Sequence, residues 1–206
     1  MAVTGNSLGM KVTAQVTEMD NPIGRMFGNS HEIVECIQCL KGHGPADTME
    51  LVYAQAEALG YEIQASINDG SALKEFEQMC IRQNVDPRIV LQLASEPWSV
   101  LDRAHVSTEI IAQNSGYISQ INALTIGEVL CKLGAGRTGE NPDIDHGVGA
   151  ELLVDIGDEI TAGEAWIRFD AREDMSAEMV ETIQNSLSVS ETKPAESSRI
   201  IEIIED

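Results

Sequence analysis

The chain has 206 residues, a length that fits one domain or two small ones. Its 34 acidic and 13 basic residues give a formal net charge of −21, which repels nucleic-acid phosphates and anionic membrane surfaces. Hydrophobic residues make up 43% of the chain, enough for a core, but they form no apolar run of about 18 residues that could span a membrane. We therefore expect no nucleic-acid partner and no membrane association.

The N-terminus and the cysteines together predict a cytoplasmic protein. The first residues show no basic segment followed by an apolar one, which a secretory signal peptide would need. Four cysteines in a chain of this length do not make the dense disulfide framework of small secreted domains. A reducing compartment fits both observations.

The first hundred residues are predicted to be mainly helical. Lys11 to Val16 alternates apolar and polar residues, a pattern typical of a β-strand. Apolar residues then recur at helical spacing and predict three helices, over about 30–41, 45–59 and 71–83. The Asp86-Pro87 pair is expected to end the third helix, because proline disfavours helical backbone in the residue before it.

After Pro97 the pattern changes from helical to β. Short apolar runs separated by Gly, Asp and Asn predict strands over about 117–121, 148–154, 165–169 and 200–204. One helix is predicted among them, beginning with a capping box formed by Thr125 and Glu128 and ending at Gly134. We place a domain boundary near residues 98–108.

One group of residues has the side-chain types of a zinc site. His31, Cys36, Cys39 and His43 lie close together in the sequence and offer imidazole and thiolate ligands. Cys36 and Cys39 fall within one turn of a predicted helix, whereas structural zinc sites usually take such a pair from a turn. We therefore favour thiols that pack in the structure or lie on its surface over a zinc site.

Two glycine-rich segments have the composition of phosphate-binding loops. Gly134 to Gly139 has the spacing G-x-G-x-x-G, but it follows a predicted helix instead of a strand, so it does not predict a dinucleotide site. Lys41 to Gly44 lies between two predicted helices, where a lysine complements a helix C-terminus and glycines allow a tight connection. We favour these structural interpretations for both segments.

The segment from Gly157 to Gly163 resembles the turn of a biotinyl- or lipoyl-type sandwich domain. Such carriers attach their prosthetic group to a lysine at a hairpin tip. Residues 148–169 contain no lysine. The architecture is therefore expected without its prosthetic arm.

Several sequence motifs follow one another in a recognisable order. They are Val16 to Asn29, Glu32 to Glu35, Leu40 to Pro45, Asp69 to Leu73 with Phe76 and Met79, Leu133 to Arg137, and Gly147 to Val154 with Gly157 and Asp158. This order resembles the thymidine and pyrimidine-nucleoside phosphorylases, and it is more similar to the animal than to the bacterial members. The resemblance extends over nearly the whole chain and corresponds to the C-terminal half of that family.

The resemblance implies a mixed α/β and α+β fold. Residues 1–100 would be the remainder of an α/β domain, with a helical pair of the small helical domain over about 21–64. Residues 105–206 would form an α+β C-terminal domain with a barrel-sandwich-like β part. The sheet neighbours of the strand at 11–16 are then expected in the other half of the family's chain, and the helical pair belongs to the part that forms homodimers.

The resemblance also implies an activity, the conversion of thymidine and phosphate to thymine and 2-deoxyribose 1-phosphate. The family's phosphate loop, its pyrimidine-binding Arg, Ser and Lys, and its His near the base have no counterpart in these residues. No catalytic, phosphate-binding or base-binding residue is therefore assigned, and we expect an incomplete chain that is inactive alone. The alternative is a non-catalytic fragment that dimerises or binds a partner.

One family site has partial counterparts here. Some members bind a monovalent cation, potassium, through two backbone carbonyls and one carboxylate, which match Ile23, Met26 and Glu35 in this sequence. No organic cofactor is expected. For Glu35 the alternative is an exposed carboxylate on a helix.

Overall fold

The computed structural model describes residues 2–137 and 143–205, which form eight α-helices and nine β-strands. The helices are α1 (Ala2–Ser7), α2 (Asn29–Leu40), α3 (Ala46–Ala58), α4 (Gln64–Asn68), α5 (Ser71–Arg82), α6 (Pro87–Ser95), α7 (Ala123–Leu133) and α8 (Ala177–Gln184). The strands are β1 (Ala14–Thr17), β2 (Met26–Phe27), β3 (Val106–Ile111), β4 (Gly116–Ile121), β5 (Gly149–Leu152), β6 (Glu159–Ile160), β7 (Ala165–Ala171), β8 (Leu187–Ser190) and β9 (Ile200–Ile204).

The strands of the described residues form three sheets. Their orders are β1-β9, β2-β5-β7-β3 and β6-β4-β8, and every pairing is antiparallel. None of these sheets closes into a barrel within the described part of the chain. The expected mixture of helices and sheets is confirmed.

The largest core lies under the second and third sheets. Strand β7 is central in the four-stranded sheet, and its side chains Trp166, Ile167 and Phe169 are fully buried. They pack with buried residues of β3, β4, α7 and α8, all between residues 104 and 183. Burying each such large apolar side chain contributes about 1.5–3 kcal/mol, so this cluster is a major source of stability.

The main helices begin and end close to where the sequence predicts. Helices α2, α3 and α5 are confirmed, and α7 ends at Gly134 with a φ of +111°. The predicted capping box of α7 is wrong. Asn122 caps the helix instead, since its side-chain oxygen accepts a hydrogen bond from the Thr125 N–H at 3.0 Å.

Asp86 and Pro87 lie after the end of α5, but they also begin a helix that the sequence pattern does not predict. These residues begin α6, because the Asp86 carboxylate accepts a hydrogen bond from the Arg88 N–H at 2.8 Å and proline needs no hydrogen bond at the first helical position. Strands β2, β3, β6 and β8 and helices α1, α4 and α8 are also present without having been predicted.

Two short strands near the start of the chain pair with strands from its second half. Strand β2 pairs with β5, and β1 pairs with β9, with Ala14 opposite Ile204. The expectation that β1 has its sheet neighbours outside this chain is therefore wrong for one edge. The domain boundaries themselves stay a prediction.

Each helix of the described residues is too short or too polar to cross a membrane.

Candidate functional site

Glu35 is buried at the start of the chain's helical region. Its residue exposure is only 8%, so the alternative of an exposed helix carboxylate is wrong. Oε1 of Glu35 accepts hydrogen bonds from the backbone N–H groups of Arg25 at 2.7 Å and Met26 at 3.2 Å. Burial raises the pKa of Glu35, and these two hydrogen bonds offset only part of that effect. A nearby positive charge would therefore stabilise the ionised form.

The second carboxylate oxygen of Glu35 faces Gly24. A Cβ atom at Gly24 would lie 2.3 Å from Oε2 of Glu35 and 2.9 Å from Oγ1 of Thr48, and the φ of Gly24 is +74°. Both the space and the backbone conformation therefore require glycine here. Oγ1 of Thr48 is buried and has no hydrogen-bond partner among the described residues. Oε2 of Glu35 and Oγ1 of Thr48 thus both lie close to the backbone of Gly24.

The loop from Ile23 to Met26 contains Gly24 and packs against Glu35. Met26 lies opposite Glu151, and the N–H of Leu152 donates to the carbonyl of Arg25 at 2.7 Å. In this antiparallel register the N–H and carbonyl of Met26 point away from β5, to the side where the N–H meets Glu35. The structure therefore brings the loop and the carboxylate together. Binding of a cation by Ile23, Met26 and Glu35 stays a prediction.

Arg199 joins this loop to the C-terminal segment. Its guanidinium donates to the carboxylates of Glu18 and Asp47 and to the carbonyls of Asn21 and Pro22. The N–H of Gly24 donates to the same Oδ2 atom of Asp47, at 3.2 Å. No local sequence pattern indicates this contact, because Arg199 lies more than 150 residues from Asp47.

A second buried polar group lies where α2 meets the four-stranded sheet. Nε2 of His31 is 2.9 Å from Oδ2 of Asp170, and the Arg103 Nε donates to the same oxygen at 2.7 Å. Trp98 packs edge-on against His31, with ring centroids 4.9 Å apart. Burial favours a higher pKa for Asp170, but its bonds to His31 and Arg103 outweigh it and lower the pKa to about 2.

The residues of the considered zinc site are separated in the structure. His31 is directed to Asp170, Cys36 is exposed, and burial raises the pKa of the Cys39 thiol to about 11, which disfavours the metal-binding thiolate. Among residues 2–137 and 143–205, no group of three or more His, Cys, Asp or Glu residues is placed to hold a metal ion. The packing interpretation of these side chains is the better one.

The glycine-rich segments have structural roles where they are described. Gly42 has a φ of +79° directly after α2, and Gly134 ends α7. The end of the G-x-G-x-x-G segment, at residues 138–142, lies outside the described residues. The Gly157 to Gly163 segment contains the two-residue strand β6 between tight turns.

Comparison with known proteins shows which family the chain is similar to. Residues 117–190 match the pyrimidine nucleoside phosphorylase C-terminal domain. The chain is 38% identical to the thymidine phosphorylase of Homo sapiens over 181 residues, which is 80% of this chain and 38% of that protein. The chain is related to the C-terminal half of the thymidine and pyrimidine-nucleoside phosphorylases.

Other phosphorylases give the same result. The thymidine phosphorylase of Mus musculus is 36% identical over 92% of this chain and 44% of its own length. The pyrimidine-nucleoside phosphorylase of Geobacillus stearothermophilus is 31% identical over 93% of this chain and 46% of its own length. The higher identity with the mammalian enzymes agrees with the animal character of the motifs. The chain spans less than half the length of each of these phosphorylases.

Proposed function

We propose that this chain supplies the C-terminal part of a thymidine phosphorylase, which converts thymidine and phosphate to thymine and 2-deoxyribose 1-phosphate. The observation that carries the proposal is its identity of 36–38% to two mammalian thymidine phosphorylases over most of its length. Its activity class is that of a pentosyltransferase.

In this proposal the chain provides structural support, and the groups that bind phosphate and base come from the rest of the enzyme. Phosphorolysis needs cations and donors around the phosphate and around the departing base. The chain has only 13 basic residues, and several arginines are engaged in ion pairs with Asp155, Asp170, Asp145 and Asp47. The isolated chain is therefore expected to be inactive.

We further propose that the loop of Ile23 and Met26 binds a monovalent cation, potassium, with Glu35. Three features fit this role: the buried carboxylate of Glu35, the carbonyl edge of the loop and the unpartnered hydroxyl of Thr48. When bound, the cation would offset the charge of Glu35 and stabilise the loop. Carboxylate, carbonyl and hydroxyl oxygens are suitable ligands for a hard cation.

The partners and the compartment are proposed on the resemblance. The complete enzyme would bind thymidine and phosphate and act as a homodimer in the cytoplasm. All four cysteines are free in the structure, which is compatible with a reducing compartment.

A chimeric enzyme tests the proposed activity. The segment of human thymidine phosphorylase that aligns with this chain would be replaced by the chain, and thymine release from thymidine and phosphate would be measured. We expect the chimera to release thymine and the isolated chain to release none.

The controls separate folding from function. The human enzyme truncated before the aligned segment shows whether the replaced part is needed at all. A folded dimeric chimera without activity, or turnover by the isolated chain after removal of contaminating enzyme, would contradict the proposal. Stable binding of the inactive chain to the truncated enzyme would favour the non-catalytic alternative.

A further inference from the structure

Arg199 forms the densest set of polar contacts in the described C-terminal segment. Its side chain is only 12% exposed, and Nη2 donates to Oδ2 of Asp47 at 2.8 Å and to the carbonyl of Pro22. Nη1 pairs with Glu18 and donates to the carbonyl of Asn21 at 3.3 Å. Both nitrogens of the guanidinium fork therefore bind the segment at residues 18–22 or the start of α3.

The backbone around Arg199 is held at the same place. The N–H of Glu18 donates to the carbonyl of Arg199 at 2.8 Å, where β9 begins its pairing with β1. The N–H of Arg199 donates to the Glu50 carboxylate at 3.1 Å, which also accepts from the Ser198 hydroxyl. Main-chain and side-chain bonds thus fix the position of the guanidinium.

Two of these contacts lead directly to the loop whose N–H groups bind Glu35. Asp47 Oδ2 accepts from Arg199 and also from the N–H of Gly24, at 3.2 Å. Pro22, whose carbonyl accepts from Arg199, precedes Ile23 in the loop. Gly24 is followed by Arg25 and Met26, the residues whose N–H groups bind Glu35. Arg199 therefore bonds directly to the backbone of Pro22 and reaches the backbone of Gly24 through Asp47.

The negative charges of Glu18 and Asp47 make their packing depend on the guanidinium of Arg199. Glu18 and Asp47 are each about one quarter exposed, and Arg199 is within ion-pair distance of both. Without the guanidinium, two partly buried carboxylates would face each other without a cation between them. A lysine would keep the charge, but it cannot form the forked set of bonds to two carboxylates and two carbonyls.

We propose that Arg199 is a positioning residue that holds the loop at residues 22–26 against Glu35, so that the C-terminal segment sets the geometry of the candidate cation site. The inference deepens the proposed function, since that site is part of it. It stands on contacts within this chain, and its test needs neither a cation nor turnover.

The loop is also held at both of its ends, which limits the expected effect of losing Arg199. The side-chain oxygen of Asn21 accepts from the N–H of Ile121 at 2.9 Å, and the carbonyl of Asp20 accepts from the N–H of Ala123 at 3.0 Å. These bonds join residues 20–21, which precede the loop, to β4 and α7. At the other end, the β2-β5 pairing holds Met26, and the N–H of Leu152 donates to the carbonyl of Arg25 at 2.7 Å. Loss of Arg199 should therefore loosen residues 24–26 without releasing residues 20–21.

Amide hydrogen exchange of the full chain, followed by NMR, tests the inference. Arg199→Met keeps the apolar stem and removes the guanidinium. We expect the amides of Gly24, Arg25 and Met26 to exchange at least about tenfold faster, which corresponds to about 1.4 kcal/mol. Amides of the β3-β7 ladder serve as the reference for global unfolding and should keep their exchange rates.

Three further variants make the result decisive. Arg88→Met removes an arginine that pairs with Asp86 and is 90% exposed, so it should leave residues 24–26 unchanged. Arg199→Lys should restore little of the protection. Glu35→Gln should shift the resonances of the Arg25 and Met26 amides, and Arg199→Met should shift the same resonances.

Specific outcomes would overturn the inference. One is unchanged exchange and unchanged resonances at residues 24–26 in Arg199→Met. Another is full rescue by lysine. If Arg199→Met speeds exchange in the β3-β7 ladder as well, Asp47→Asn decides, because it weakens the same link with a smaller change. Unchanged amides at residues 24–26 in a folded Asp47→Asn chain would also contradict the positioning role.

Discussion

Among single residues, Glu35 is the one for which the structure adds most to the sequence, because it shows that the carboxylate is buried. The sequence left it open between a cation ligand and an exposed carboxylate, and helical spacing alone could not decide because both faces of a helix accept a glutamate. Its burial depends on α3 and on the loop before α2, which fold over it. The unpartnered hydroxyl of Thr48 could not be identified from the sequence for the same reason.

Gly24 provides a test of the packing around this carboxylate. Gly24→Ala should destabilise the chain by about 2–3 kcal/mol, because it combines a left-handed backbone with a Cβ atom that collides with Glu35 and Thr48. Gly60→Ala is the matched control, since its φ is +82° and no atom of the described residues lies within 4 Å of the added Cβ. It should cost about 1 kcal/mol. Equal losses in urea unfolding would show that the collision is relieved without cost.

Asp170 should make stability depend on acid. Its pKa is lowered from 3.8 to about 2 in the folded chain, so its contribution is present above pH 4 and is lost as the pH falls through 2. The difference in unfolding free energy between the parent chain and Asp170→Asn should therefore shrink by about 2 kcal/mol between pH 4 and pH 2. Chemical denaturation at several pH values measures it.

Asp155→Asn is the control for this pH series, because Asp155 is half exposed and pairs with Arg25 at the surface. Its effect should be below about 1 kcal/mol at every pH. A pH-independent difference for Asp170→Asn would mean that the buried pair with His31 does not stabilise the ionised carboxylate.

At the element scale, long amphipathic helices were predictable and short elements were not. Helices α2, α3 and α5 each extend over at least three turns with repeated apolar residues, and their bounds lie close to the predictions. Strands β2 and β6 have two residues each, so they carry no periodic pattern and exist only through their partners β5 and β4. Pairing across the sheet creates them.

The start of α7 shows how local signals can compete. Asn122→Ala should cost about 1 kcal/mol of stability, because its side chain accepts the Thr125 N–H, whereas Glu128→Ala should cost close to nothing. Thermal unfolding of both variants measures the difference. The opposite order would restore the capping box that the sequence suggested.

At the scale of the whole molecule, the sequence could give the family and the fold class but not the contacts between its ends. Residues 16–29 carry a recognisable motif, yet the bonds from Arg199 to this segment join residues that no local pattern relates. The same holds for His31 and Asp170, which are separated by 139 positions. Such contacts form only when the complete chain folds, so no local sequence pattern predicts them.

The domain boundary remains a prediction that limited proteolysis can test. The large core is formed by residues between 104 and 183, and Phe27 packs against it. We expect a protease-resistant fragment that begins near residues 98–108, with faster cleavage in the first hundred. Preferential protection of the first hundred residues, or a single cooperative resistance of the whole chain, would contradict the boundary.

The most direct test of the candidate site is the potassium dependence of thermal stability in the chimeric phosphorylase. Potassium should raise the melting temperature of the chimera relative to choline at the same ionic strength, because it binds the folded state. Glu35→Gln should lose most of this shift. Glu32→Gln, which changes an exposed carboxylate on the same helix, should keep it. Equal potassium shifts in the chimera and in Glu35→Gln would contradict a cation site at Glu35.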